Sequence, residues 1–163
     1  KLAQAIAEEY HDPPEAARQL TLLQRDVDLR GEATMRLGVM AYWQKDDDRA
    51  LEQLRKVEAI TRDPWVLYLA RYFTGLVHLR RHHAGDAEIA FRRALDAVPR
   101  AQAATISLAS LLFGSGRRDE ASALAGEMLA ADPPPADPWR AYADADDRFW
   151  PELIARLRRE IRP

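Results

Sequence analysis

The chain has 163 residues, with 24 Lys+Arg against 26 Asp+Glu for a formal net charge of −2, and it is 47% apolar and 31% charged. That balance belongs to a globular chain, and near-neutral charge with a pI of about 6.1 argues against nucleic-acid binding, which draws on a basic stripe. With no cysteine, disulfide frameworks, thiolate metal sites and cysteine nucleophiles are excluded, and the redox compartment stays open.

The first ten residues, Lys1 to Tyr10, pattern as an amphipathic helix carrying Glu8 and Glu9, unlike a signal peptide with its apolar run. Lys1 in place of an initiator Met reads as a processing site, an expression boundary or the edge of a domain in a longer chain. The longest uncharged stretch, Ala101 to Gly116, contains Gln, Thr, Ser and Gly. It is too short and too polar for a span of ~20 apolar residues, so no membrane insertion is expected.

Strand-like alternation is absent, while Ala, Leu, Arg and Glu dominate, all good helix formers. Asp12-Pro13-Pro14, Asp63-Pro64, Asp132-Pro133 and Asp137-Pro138 each place a capping acid before a proline tolerated in a first helical turn. The reading is all-α with ten helices, roughly 1–10, 14–28, 31–44, 47–61, 64–81, 84–97, 101–114, 117–130, 137–146 and 149–161.

A repeat organises these helices. Ala16, Ala50, Ala87 and Ala121 recur at steps of 34, 37 and 34 residues. Four positions later stand Leu20, Leu54, Phe91 and Ala125, and seven later Leu23, Val57, Ala94 and Met128, each set on one helical face. Upstream, Leu37-Gly38, Thr74-Gly75 and Leu108-Ala109 put a small residue where a partner helix would approach closely. Gly116 falls between two helices, where positive φ is useful, and Pro64, Pro99 and Pro133 close three units.

A small residue after Leu, then Ala-x-x-x-Phe-x-x-Ala-Leu at 87–95, then Pro99, resembles the tetratricopeptide repeat, a 34-residue helix-turn-helix. The resemblance implies a right-handed α-solenoid of stacked antiparallel helix pairs across 1–163. It divides into a degenerate N-terminal unit at 1–30, units at 31–67, 68–101 and 102–135, and a capping helix pair at 136–163. The 31–67 unit carries about three surplus residues, expected as longer helices near Pro64. The final pair, with Trp139 and the arginines 156, 158, 159 and 162, suits a terminal cap.

Catalytic constellations are missing. Ser115 lies in Gly-Ser-Gly without a nucleophile elbow, and no glycine-rich phosphate loop occurs. His78 and His82 share i, i+4 spacing with His83 following, but no third ligand is nominated, so they read as structural residues and no metal or cofactor is expected. The acidic runs at 46–48 and 144–147 lack calcium-loop spacing. The chain reads as a non-enzyme.

In the family, the first helix of each unit lines a concave groove. Carried onto this chain, the resemblance implies a groove of Met35, Val39, Tyr42 and Trp43, then Leu69, Tyr72, Leu76 and Arg80, then Ile106, Ser110 and Phe113. Family members that grip a terminal carboxylate use Lys and Asn there; this chain has no Asn, and Lys1, Lys45 and Lys56 lie off the groove. The expectation is a protein-interaction module holding a partner helix or apolar peptide segment. The alternative is a structural spacer or self-association domain, such as a homodimer, of a larger protein. Arg far above Lys, with abundant Ala, points to a bacterial source, cytoplasmic or periplasmic.

Overall fold

A computed structural model describes residues 1–132 and 137–143. The expected helix at 149–161, and the end of the one at 137–146, lie outside the described residues. Among those described, the fold is all-α, with eight helices of ten or more residues and one short one. They are α1 (Leu2–His11), α2 (Pro13–Leu23), α3 (Arg30–Trp43), α4 (Asp47–Ile60), α5 (Pro64–Arg80), α6 (Ala84–Ala97), α7 (Gln102–Gly114), α8 (Arg118–Leu129) and α9 (Pro138–Ala143).

Consecutive helices pack as the hairpins α1/α2, α3/α4, α5/α6 and α7/α8, joined through α2 on α3, α4 on α5 and α6 on α7. Two of the acids before prolines act as anticipated: Asp12 accepts from the Glu15 N–H, and Asp63 from those of Trp65 and Val66, while the proline after Asp132 lies outside the described residues. The expected helix at 14–28 is corrected to Pro13–Leu23, because the Asp26 carboxylate accepts from the amides of Asp28 and Leu29 at 3.0 and 3.3 Å and closes a turn. The surplus residues lie in α5, which runs to 17 residues against 14 in α3 and 13 in α7.

The repeat is visible in backbone and burial together. Lys45, His82 and Gly116 have φ of 61°, 60° and 84°, each five residues before its repeat alanine. The N–H that follows each of them donates back across the helix end, Asp46 to Ala41, His83 to His78 and Arg117 to Leu112, at 2.8–2.9 Å. These are the bonds of a helix ending in one left-handed residue. Ala16, Ala50, Ala87 and Ala121 are all buried, as are Leu20, Leu54 and Phe91 four residues on. Ala121 is the single buried residue of α8, so the apolar face fades toward that end.

The main core runs through α3 to α8 around Met35, Tyr68, Phe73, Phe91 and Leu108, and receives Tyr142 of α9. A second cluster joins α1, α2 and α3 through Ala5, Leu20, Leu37 and Met40.

A candidate binding cleft filled by the chain's own aromatic segment

α9 does not simply extend the run of hairpins. It packs chiefly on α5, and residues 137–142 reach the first helices of the earlier hairpins. Three anchors hold the segment.

Asp137 is the first. α7 begins at Gln102 after Ala101, a residue with no side chain able to cap a helix. The Asp137 carboxylate fills that role from 34 residues away, accepting from the Ala103 N–H at 2.6 Å. Its other oxygen accepts from the Tyr68 hydroxyl at 3.1 Å and from the Trp139 N–H at 3.0 Å. Tyr68, fully buried, accepts in turn from the Ala104 N–H at 3.3 Å. Burial, with the Asp137 charge beside it, pushes the Tyr68 hydroxyl far above the ordinary phenol range. One carboxylate thus serves the N-termini of α7 and α9, where negative charge is favoured.

Trp139 is the second anchor. Its ring lies 5.3 Å from Phe73, 6.1 Å from Tyr72 and 6.3 Å from Trp43, centroid to centroid. Edge-on and tilted arrangements at these distances suit the ring quadrupoles. Tyr42 backs the cage, 5.0 Å from Trp43 and 5.3 Å from Phe73.

Tyr142 is the third. Its hydroxyl donates to Glu9 at 3.0 Å, and the Arg36 guanidinium sits 4.7 Å from its ring centre. Arg36 is only 2% exposed and is held by Glu9 at 3.2 Å and Glu32 at 3.0 Å. Burial pushes the Glu9 carboxyl above its ordinary range, with Arg36 acting against that rise. A small cavity of about 160 Å³ between Glu9, Met40, Trp43 and Tyr142 remains beside this anchor.

The expected groove residues divide into buried and exposed sets. Met35, Val39, Leu69 and Tyr72 are buried, and Tyr42 and Leu76 are partly buried. Trp43, Ile106 and Phe113 are 58%, 49% and 58% exposed, and Ser110 is exposed beside them. Arg80 is exposed but engaged: it pairs with Asp47, donates to the Tyr42 carbonyl at 3.1 Å and lies 4.1 Å over the Tyr42 ring. Arg80, joined by Arg81, holds the Asp47 carboxyl below its ordinary range. Its charge therefore ties α5 to the start of α4.

Sequence reasoning passed over Glu9, Arg36, Tyr68 and the reach of Asp137. Two of them left a signal. Arg36 interrupts the apolar run of α3, and α7 starts without Ser, Thr, Asp or Asn at its cap, so its first amides need an acceptor from elsewhere.

Among the described residues no helix is long and apolar enough to cross a membrane. No protein-family model matches the chain, and no curated protein matches it.

Proposed function

We propose that this chain is a non-catalytic protein-interaction module of the tetratricopeptide type, its hairpins stacked as a right-handed solenoid. On this reading its groove takes a short helical segment of a partner that presents an acid followed by two aromatics one turn apart. The observation that carries the proposal is the seating of Asp137, Trp139 and Tyr142. An acid capping α7, a ring in the Trp43–Tyr72–Phe73 cage and a phenol against Arg36 and Glu9 form a three-point recognition pattern. Aromatic anchors in apolar pockets dominate the energy of such interfaces. Trp43 beside the segment, and Ile106, Ser110 and Phe113 on α7, supply exposed surface for a partner longer than six residues.

The test is fluorescence anisotropy with a labelled Asp-Pro-Trp-Arg-Ala-Tyr peptide. A full-chain Trp139→Ala/Tyr142→Ala variant, shown folded by circular dichroism, should bind it. The unaltered chain should bind more weakly, because its tethered segment competes at high effective concentration. Adding Trp43→Glu should abolish binding while helicity is kept. No binding by the folded double variant would make the segment a closure of the core.

That outcome would favour the second reading, a structural spacer or self-association domain. Burial of Met35, Val39, Leu69 and Tyr72 supports it. Light scattering that reports a dimer indifferent to the peptide would then carry the argument.

A further inference from the structure

The end of the α5/α6 hairpin gathers three side chains that the fold does not require. His78 and His83 have ring centroids 6.0 Å apart, and His78 Nδ1 lies 3.9 Å from an Asp86 oxygen. One donor atom from each of His78, His83 and Asp86 falls within 4.8 Å of the others. The hairpin turn brings them together: with His82 left-handed, the His83 N–H bonds to the His78 carbonyl at 2.8 Å, and Asp86 follows in the first turn of α6. The i, i+4 pair seen in the sequence is thereby replaced by His78 with His83.

The same turn recurs in the neighbouring hairpins with other residues. In place of the three stand Ala41, Asp46 and Arg49 in the α3/α4 hairpin, and Leu112, Arg117 and Glu120 in α7/α8. Closing the turn therefore needs neither imidazole. At the His83 position the first of these hairpins has Asp46, whose side chain caps α4 by accepting from Arg49 N–H, whereas His83 makes no such cap for α6. Among the described residues the shielded His78 Nδ1 has no hydrogen-bond partner, an unmet requirement that a buried polar atom rarely carries. The nearby cation Arg81 is already paired with Asp47 and Asp48.

We infer that His78, His83 and Asp86 form a site for a divalent transition-metal ion of the zinc class, with three protein ligands and solvent in the fourth position. Two imidazoles and a carboxylate are borderline donors suited to zinc. Metal–ligand bonds of about 2.0–2.1 Å in a tetrahedron place donors roughly 3.4 Å apart. The two exposed members, His83 and Asp86, need only side-chain adjustment to close on His78. The ion would bridge the last turn of α5 and the first of α6, and its open position would accept a ligand from a neighbouring molecule.

The experiment is calorimetric titration of the full, chelator-stripped chain with zinc chloride, beside His83→Ala, Asp86→Asn and, as a control, His82→Ala. The unaltered chain and the control should bind one ion per chain. The affinity should fall at least about tenfold in His83→Ala and in Asp86→Asn, by comparison with the 10–100-fold that even outer-shell changes cost. Zinc should raise the thermal midpoint of the unaltered chain and not that of His83→Ala. Absence of binding, or equal affinity in the unaltered chain and His83→Ala, would overturn the site. Both outcomes are independent of the peptide experiment.

Discussion

Gly75 of α5 lies directly against the ring of Phe91 in α6: a Cβ built at position 75 would stand 2.6 Å from Cδ1 of that ring. Gly38 bears the same relation to Leu54, with a Cβ 2.7 Å from Leu54 Cδ2. Both pairs are 16 residues apart, and at the same spacing the third unit has Ala109 and Ala125, where the smaller second residue leaves room for a methyl on the first.

The first prediction follows. Phe91 is fully buried and cannot swing aside, so Gly75→Ala should destabilise by about 1–2 kcal/mol, overpacking outweighing the helix-propensity gain of ~1 kcal/mol. Gly126→Ala, in α8 with nothing within 4 Å of the new methyl, should instead stabilise by up to ~1 kcal/mol. Urea unfolding of the two variants decides it. A neutral Gly75→Ala would mean the hairpin is looser than the contact implies.

Arg36 is the second case. Removing it leaves Glu9 and Glu32 without their shared cation, and Glu9's side chain is 7% exposed. Arg36→Ala should cost about 3–5 kcal/mol. Pairing Arg36→Met with Glu9→Gln should recover part of that loss, since the more deeply buried of the two carboxylates is then neutral and only Glu32, 16% exposed, keeps its charge without Arg36. A cost below ~1 kcal/mol for Arg36→Ala would show that water reaches the pair.

Asp137→Ala takes the cap from α7. The Ala103 amide should exchange with solvent faster by hydrogen-exchange mass spectrometry, with residues 137–143 following as the segment loosens. The expected loss is about 1–2 kcal/mol, the range of an N-cap. Tyr68→Phe should act on the same region through the Ala104 amide. Unchanged protection at 103–104 in both variants would remove the anchor from the account.

Acid should weaken the fold. Asp47 is held below its ordinary range by Arg80 and Arg81, and Glu88 by Arg92 and Arg117. At Glu58 burial acts upward but is outweighed by hydrogen bonds from Arg71 and Arg93. Carboxyls lowered in the native state stabilise it above their unfolded values of about 3.9–4.3, and that contribution is lost as pH falls through the lowered native values. Glu9, raised by burial, has the opposite sign: its contribution favours the fold at low pH and is lost as pH rises through its raised value. The urea midpoint should therefore drop between pH 5 and pH 3, and less steeply in 0.5 M salt, which screens the exposed pairs. A midpoint that rises over that interval would mean Glu9 outweighs the surface network.

The all-helical class, the hairpin pairing and the buried alanine faces were legible because they rest on local rules. Helical period places Ala50, Leu54 and Val57 on one face. A proline after an acid marks a helix start, and a glycine opposite a large residue marks close approach. These features depend on residues within about one repeat of each other, so the linear pattern contains them. The early stop of α2 escaped because Asp26 competes for backbone amides with its own side chain, a local choice that periodicity does not register.

The tertiary structure alone decided which first-helix faces stay open, how Arg36 is buried and which histidines meet. Asp137 reads in sequence as the cap of its own helix, and nothing near it in the chain indicates that α7, 34 residues back, lacks a cap. Trp139 reads in sequence as part of a terminal capping pair, and only packing sets its ring, with that of Tyr142, on α3 and α5. His83 joins His78 only because a left-handed residue between them turns the chain. In each case the deciding quantity is a direction in space set by packing between distant segments, and a one-dimensional pattern of residue types does not carry directions.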